Sequence, residues 1–221
     1  MAWCTELTEK YIEKQDLFTT LEKEYHYVMP TPPVIRINQM LNLLTALLMK
    51  FVQKQETVDK KTFEMLYVYC LSWAIAGLFE TEDREKFHKY LESRHAPLPP
   101  CKSTSGGEKE TVFDYFIDEN TKAWKIWEAE VWNAPKRIQF SQLLIPTSDS
   151  TRAEYIIDKI AKLPLMRHDR RKEPGHLNTL LVGGPGTAKT SIVMMYTSKF
   201  DNEVMMFKRI NFSSATTPFN F

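Results

Sequence analysis

The first hundred residues carry apolar side chains at the three- and four-residue spacing that is typical of α-helices. The first apolar face consists of Phe18, Leu21, Tyr25 and Val28. Three prolines between residues 30 and 33 predict its end, because proline lacks the N–H group that a helix interior needs. A wider apolar face between Ile37 and Phe51 predicts a second helix, which begins near Val34 and packs against neighbouring helices.

Two further helices are predicted before residue 100. Apolar side chains between residues 60 and 79 share one face of the third. The fourth begins at Thr81, Glu82 and Asp83, since hydroxyl and acidic side chains favour helix N-termini. Prolines 97, 99 and 100 then close the bundle. We therefore predict an all-helical unit over residues 1–100.

The sequence predicts a connecting segment over residues 101–139. Residues 101–110 are small, polar and glycine-containing, which is typical of a flexible link. Residues 112–119 have the composition of a strand. Trp124, Trp127, Val131 and Trp132 follow at mixed helical spacing, and we interpret the tryptophans as core side chains, with a ligand-stacking surface as the alternative.

The last third, residues 140–221, changes to an α/β pattern. A short extended run over residues 140–146 precedes a helix whose N-cap lies among residues 147–150 and whose isoleucines at 156, 157 and 160 face inward. Residues 167–173 predict a solvated basic loop, with an anion site as the alternative. A strand over residues 178–182, a glycine turn, a helix from about Ala188 and a second strand over residues 204–210 then make half of an α/β unit.

Composition narrows the functional classes. Lys plus Arg number 29 and Asp plus Glu 28, so the net charge of +1 gives no electrostatic footprint for nucleic acid or an acidic membrane. The apolar run from Met65 to Phe79 is too short to span a bilayer, so we expect a soluble, intracellular protein. Three widely separated cysteines favour neither a disulfide framework nor a zinc site. Glycine makes up about 3% of the chain against roughly 7% on average, and three of the seven glycines fall between residues 183 and 186.

This glycine cluster carries the chemistry of the chain. It reads Gly183, Gly184, Pro185, Gly186, Thr187, Ala188, Lys189 and Thr190. The pattern follows GxxxxGK[ST], whose backbone N–H groups surround a phosphate at the start of a helix. Lys189 is expected to reach the β- and γ-phosphates, and the Thr190 hydroxyl to ligate Mg²⁺. Ala188 replaces the second glycine, which is tolerable if its φ is negative, as at the start of a helix. The alternative is an ordinary strand-to-helix turn.

Hydrolysis needs more than this loop, because an acidic residue must orient the attacking water. After Thr190 the acids of these 221 residues are Asp201 and Glu203, both in a predicted turn. Asp118 and Glu119 end an apolar run but precede the loop, so we interpret them as the solvated end of an edge strand. We predict nucleotide binding without turnover, and name no catalytic residue.

The residues now identify a family. The runs LLVGGPGTAKTSIVMMY and KRINFSSATTPFNF resemble the start of the third AAA+ module of axonemal dynein heavy chains, with the outer-arm gamma-type chains nearest. The run VMPTPPVIRINQMLNLLTALL resembles the small helical subdomain that closes the second module. FDYFIDENTKAWKIWE resembles the connection between the two, and IPTSDSTRAEYIIDKI the segment that walls the adenine pocket.

The resemblance implies a mostly helical α/β fold, with an AAA+ small helical subdomain followed by the truncated N-terminal half of a P-loop core. It implies ATP or ADP with Mg²⁺, held by residues 183–190 and Ser191, with Ile145, Pro146 and Thr147 near the adenine. The parent would be an ATP-driven microtubule motor of the ciliary or flagellar axoneme, in the cytoskeleton of the cytoplasm, with a regulatory nucleotide site here.

Its implied partners are the rest of the motor ring and the dynein intermediate and light chains, with microtubules bound only through segments outside these residues. It implies neither nucleic acid nor membrane as a partner. The other hypothesis that we retain is a helical interaction protein with a vestigial P-loop.

Overall fold

The computed structural model describes residues 2–102, 109–133, 143–163, 177–214, 216–217 and 219. These residues form a mostly helical fold with a small two-stranded sheet. The helices are α1 (Ala2–Tyr11), α2 (Leu17–Glu24), α3 (Pro33–Gln53), α4 (Lys60–Ile75), α5 (Thr81–Ser93), α6 (Ser148–Ala161) and α7 (Lys189–Ser198). The strands are β1 (Tyr115–Asp118) and β2 (Ala123–Ile126). Within the described residues, no helix is long and apolar enough to cross a membrane.

Helices α1 to α5 form the helical unit, whose core is one cluster of apolar side chains around α4. Buried faces of α3 and α4 pack along each other, as the periodicity predicts. The largest fully buried side chains are Tyr11, Tyr67, Tyr69, Phe79 and Phe87. The helices predicted at Val34, at residue 60 and at Thr81 are confirmed, whereas the sequence reasoning missed α1, which buries Leu7 and Tyr11.

The helix predicted through Val28 ends earlier than expected. Helix α2 stops at Glu24, and the chain continues in an extended conformation from Tyr25. The backbone N–H of Val28 donates to the carbonyl of Leu78 at 2.9 Å, and Tyr27 pairs with Phe79 as an isolated antiparallel bridge. These long-range hydrogen bonds replace the last turn that the apolar spacing suggested.

Strands β1 and β2 form an antiparallel hairpin in which Ile117 lies opposite Trp124. The strand predicted over residues 112–119 is shortened, because residues 112–114 form a 3₁₀ turn whose capping residue is Thr111. Trp124 lies in β2, so the helical spacing assigned to the tryptophans was wrong. Trp124 packs against the core, but Trp132 is 37% exposed and does not match the prediction of a core side chain. Val112, Phe113 and Ile117 belong to the same core as the helices.

Helix α6 begins where the sequence predicted. The Thr147 hydroxyl accepts a hydrogen bond from the backbone N–H of Ser150 at 3.2 Å, and the Ser150 hydroxyl accepts one from the N–H of Thr147 at 2.8 Å. This reciprocal capping box satisfies donors that a helix N-terminus leaves free. The buried side chain of Ile157 lies on the face of α6 that packs against the rest of the molecule, where α6 contacts both α3 and α7.

The two strands predicted around the glycine cluster are absent. Residues 178–182 and 204–210, all within the described part of the chain, form no strand. Leu180 is 76% exposed and Met206 92% exposed. A strand exists only when a neighbour accepts and donates its backbone hydrogen bonds, and neither segment has such a neighbour among the described residues. The two segments have the apolar composition of strands, but a strand forms only where a second segment pairs with it. The basic segment 167–173 and residues 140–142 lie outside the described residues.

A groove of about 580 Å³ lies between the helical unit and α6. Its walls come from α3, α4 and α6, and residues 177–182 form another side. Its lining ends at Val182, directly before the glycine cluster. The groove therefore lies beside the segment that leads into the candidate site.

Candidate functional site

The glycine loop, residues 183–188, joins this segment to α7. Gly186 has φ +76° and Ala188 has φ +57°, so two left-handed residues flank Thr187. Alternation of this kind turns successive backbone N–H groups toward one side and makes a concave surface for an anion. A Cβ at Gly183 would lie 2.8 Å from the Thr187 hydroxyl oxygen, so a side chain there would displace that hydroxyl from its place in the loop.

Helix α7 adds donors to the same place. It begins at Lys189, no side chain caps it, and its first turn holds no acidic residue. The first N–H groups of a helix have no acceptor within the helix, and the positive end of its dipole lies there. Thr190, in this first turn, is exposed to solvent. The N-terminus of α7 can therefore receive a negatively charged group.

Lys189 folds back over the loop. Its Nζ donates to the carbonyl oxygens of Gly183 at 2.8 Å and Gly184 at 2.5 Å, and lies 3.0 Å from Thr187 Oγ1. The Thr187 hydroxyl in turn donates to the carbonyl of Gly184 at 2.9 Å. The positive charge is thus held at the mouth of the loop by carbonyl acceptors, which an anion would replace.

The backbone at Ala188 corrects one premise of the sequence reasoning. We expected a negative φ at this position, but the residue is left-handed and serves as the N-cap of α7. A side chain in this conformation costs about 1–2 kcal/mol, which glycine avoids. The alanine therefore keeps the shape of the glycine loop at an energetic cost.

The segment proposed to wall an adenine lies at the start of α6. Ile145 is 52% exposed, and Pro146 is partly buried. Thr147 is engaged in capping α6 through both its hydroxyl and its backbone N–H. The structure thus assigns Thr147 a capping contact, and a role of these three residues near adenine stays a prediction.

The acids before the loop have partners of their own. Asp118 accepts a hydrogen bond from the Thr121 hydroxyl at 3.0 Å, which lowers its pKa. Glu119 lies 2.6 Å from the Lys50 ammonium and 2.9 Å from that of Lys159. Burial opposes ionisation of Glu119, yet these two lysines hold its pKa below the usual range. Glu119 is therefore an ion-paired junction residue, not the solvated strand end that we expected.

The acids after the loop are exposed. Asp201 and Glu203 follow α7 in a turn, where the backbone N–H of Glu203 donates to the Asp201 carboxylate at 3.0 Å. In the described part of the chain, no group of three His, Cys, Asp or Glu side chains could hold a metal ion. A role of the Thr190 hydroxyl in holding Mg²⁺ therefore stays a prediction.

The far end of α7 is anchored by charge. The Lys199 ammonium lies 2.6 Å from Glu154 of α6 and 2.7 Å from Glu130, which follows the hairpin. Glu154 is buried, and sequence reasoning did not single it out. Glu154 lies three residues before Ile157, on the same face of α6, and a charged residue at such a position could have been recognised from the sequence.

Comparison with known proteins covers nearly all of the chain. Residues 4–129 match the family model described as the dynein heavy chain AAA lid domain. Residues 132–221 match the model described as the P-loop containing dynein motor region. The boundary between the two matches lies just after the hairpin, so the first model covers both the helical unit and the sheet.

Individual relatives agree with these models. The chain is 30% identical over 96% of its length to the dynein gamma chain of the flagellar outer arm of Chlamydomonas reinhardtii. It is 31% identical over 93% to mouse dynein axonemal heavy chain 5, and 30% identical over 97% to human dynein axonemal heavy chain 8. The chain spans about 4% of the length of each of these relatives.

Proposed function

The chain belongs to the dynein heavy chain family, and on this premise we propose that residues 183–191 bind the phosphates of ATP or ADP. The observation that carries the proposal is the pair of left-handed residues, Gly186 and Ala188, directly before the uncapped N-terminus of α7. This AAA+ motor family generally binds ATP or ADP with Mg²⁺. The residues of the loop and of the first turn of α7 suit a magnesium nucleotide, because backbone donors, an ammonium and a hydroxyl lie together there.

Each residue has a distinct task in this proposal. The backbone N–H groups of the loop would hold phosphate oxygens, and Lys189 would leave the carbonyls of Gly183 and Gly184 to neutralise phosphate charge. The Thr190 hydroxyl would contribute to holding Mg²⁺. When bound, the magnesium nucleotide would supply the negative charge that these N–H donors and the Lys189 ammonium attract. Ser191 adds a further donor in the first turn of α7.

We propose in addition that the site in these 221 residues is regulatory and does not turn nucleotide over. Hydrolysis requires an acid that acts on the attacking water and groups that stabilise the transition-state charge. Glu119 is already paired with two lysines, and Asp201 and Glu203 lie in an exposed turn beyond α7. The loop residues contact ground state and transition state alike, so they favour binding more than rate.

The relatives also bear on the parent protein. Those named above are flagellar and axonemal dynein heavy chains, which supports a place for the parent in the cytoskeleton of cilia and flagella. We propose that the parent assembles with the other modules of a motor ring and with dynein intermediate and light chains. Microtubule contact would come from segments outside these residues.

A second candidate function is a helical interaction protein whose P-loop is vestigial. The observation in its favour is Lys189, because the loop's own carbonyls already satisfy its ammonium. The two candidates differ in one measurable property, the affinity for nucleotide.

Equilibrium binding of fluorescent ATP and ADP to the 221-residue chain, with Mg²⁺ present, tests the proposal. We expect saturable binding that falls at least about ten-fold in Lys189→Ala, because a charge-assisted contact is lost. The matched control is Lys208→Ala, an exposed lysine beyond the loop, which should bind as the parent chain does. Absent binding, or equal loss in both variants, would favour the vestigial loop.

A further inference from the structure

Three charged side chains meet where the helical unit contacts α6. Lys50 comes from α3, Glu119 follows β1, and Lys159 comes from α6. Both ammonium groups contact the same carboxylate oxygen, Glu119 Oε1, at 2.6 Å for Lys50 and 2.9 Å for Lys159. The side chain of Lys159 is 5% exposed and that of Glu119 21% exposed. One carboxylate thus joins three elements that are far apart in the sequence.

The charges of this cluster do not balance. Two ammonium groups share one carboxylate: the side chain of Lys50 is 41% exposed, whereas the ammonium of Lys159 is closed off from water and shares its counter-charge. A buried charge is costly unless a partner compensates it, and two cations on one oxygen also repel each other. The ring of Tyr155 lies 4.6 Å from Lys159 Nζ and offers a partial compensation. Loss of one proton would remove the excess charge.

We propose that Lys50, Glu119 and Lys159 form a proton-linked clamp, in which release of a proton from Lys159 stabilises the junction between the helical unit and α6. Lys159 is the proton donor because it is the more buried lysine. A neutral amine still has N–H groups that can donate to Glu119, so the contact survives while the excess charge is lost. The clamp does not depend on nucleotide.

The pKa values of the two lysines are shifted in opposite directions. Burial and the neighbouring Lys50 lower the pKa of Lys159 to about 8. Burial opposes the charge of Lys50 as well, but its hydrogen bond with Glu119 raises its pKa above the usual range. Lys50 therefore keeps its proton through the range in which Lys159 loses one.

Other titratable groups near the clamp stay fixed over that range. Burial raises the pKa values of Tyr155 and Tyr69 and of the Cys70 thiol, so all three remain neutral. Asp118, with a lowered pKa, remains charged, and Asp158 is paired with Lys162 at 2.6 Å. From α7, Lys199 is held by Glu154 and Glu130, which raise its pKa although burial opposes them. Lys159 is thus the group here that titrates between neutral and mildly alkaline pH.

The direction of the effect on stability follows by linkage. The unfolded chain holds the Lys159 proton up to the ordinary value of 10.5, whereas the folded chain releases it near 8. Between these values the unfolded state binds more protons, so stability rises with pH. The unfolding equilibrium constant should fall about ten-fold or more between pH ~7 and ~9.5 through this group alone.

Urea unfolding of the full 221-residue chain at these two pH values tests the clamp. Between these pH values, the unfolding equilibrium constant of the parent chain should fall by about ten-fold relative to that of Lys159→Met. Burial raises the pKa values of the Cys70 and Cys101 thiols, which lowers stability over the same range, but this effect is common to both proteins. Lys208→Met, which removes an exposed lysine beyond α7, is the control and should behave as the parent chain does. An equal pH dependence in the parent and in Lys159→Met would overturn the proposal.

A second measurement applies to the parent chain and does not require the variant to fold. Lysine side chains labelled with ¹³C at Cε report their own protonation by chemical shift. We expect one lysine resonance to titrate near pH 8, well below the others. A spectrum in which every lysine titrates near the ordinary value would overturn the clamp.

Discussion

At residue 188 the glycine loop carries a side chain in a backbone conformation that normally favours glycine. The sequence motif located the loop, its lysine and the start of α7 to within a residue. It could not provide the φ angle of Ala188, because that angle depends on how Gly186 and Thr187 turn the chain before it. The residue types thus predicted that the loop, Lys189 and the start of α7 lie together, whereas the backbone angles within the loop could be obtained only from the structure.

Replacement of Ala188 by glycine should leave stability unchanged or raise it by up to about 1.6 kcal/mol. Relief of the left-handed strain, about 1–2 kcal/mol, is partly offset by the greater freedom that glycine has in the unfolded chain, about 0.4–1 kcal/mol. Nucleotide affinity should stay within a few-fold, since the backbone donor remains. Thermal unfolding and fluorescent-nucleotide titration measure both. A ten-fold change in affinity would show that the alanine side chain itself takes part.

His88 offers a second test at this scale. Its Nδ1 accepts a hydrogen bond from the backbone N–H of Val112 at 3.2 Å, so the bonded form is the neutral ring. Burial lowers the pKa of His88 below the ordinary 6.5. Its contribution to stability is therefore complete above pH 6.5 and is lost as the pH falls through the lower, folded-state pKa.

We expect urea unfolding at pH ~5 to show a loss of stability in the parent chain that is smaller in His88→Asn. The carboxylates titrate in both proteins, so the difference between the two isolates His88. His95→Asn is the matched control, since His95 lies beyond the end of α5. Equal acid sensitivity of the parent chain and His88→Asn would contradict this interpretation.

At the level of elements, the helices could be predicted more completely than the strands, of which β1 was found within its predicted range and two others were not. A helix satisfies its own backbone, so apolar spacing and caps were sufficient for α3, α4, α5 and α6. A strand needs a partner segment, and no local pattern supplies one. The hairpin forms because β1 and β2 are close neighbours in the chain, whereas residues 178–182 and 204–210 have no pairing among the described residues.

The capping box of α6 allows a direct test of an element boundary. Thr147→Ala removes the hydroxyl that accepts from Ser150 and should cost about 1 kcal/mol of stability. Thr147→Ser keeps the oxygen and should cost much less. Urea unfolding followed by circular dichroism measures both. An alanine variant as stable as the parent, with weakened nucleotide binding, would instead favour the proposed place of Thr147 near adenine.

At the scale of the whole molecule, the two ends of the chain differ in how much apolar surface they bury. The helical unit encloses a continuous core, which periodicity anticipated, although the contribution of the hairpin to that core did not follow from it. Beyond α7, apolar side chains are exposed: Val204, Met205, Met206, Phe207 and Ile210. Such a surface is typical of a segment whose partners lie elsewhere.

The 221-residue chain should therefore bind an apolar dye strongly. Replacing Val204 and Met206 together by serine should lower the dye signal, because both side chains are exposed, while urea unfolding of the helical unit stays unchanged. Replacing Met40 by serine is the contrasting variant, since that side chain is fully buried and its loss should destabilise the helical unit. Weak dye binding by the parent chain would show that the exposed segment finds cover within the chain.

The central claim is that this chain binds nucleotide through its glycine loop and does not turn it over. Incubating the purified chain with ATP and Mg²⁺, then quantifying both bound nucleotide and released phosphate, tests it most directly. We predict bound ATP recovered intact, no phosphate release above that of Lys189→Ala, and little bound nucleotide in that variant. Steady phosphate release that disappears in Lys189→Ala would contradict the account and would return Asp118 and Glu119 to consideration as catalytic acids.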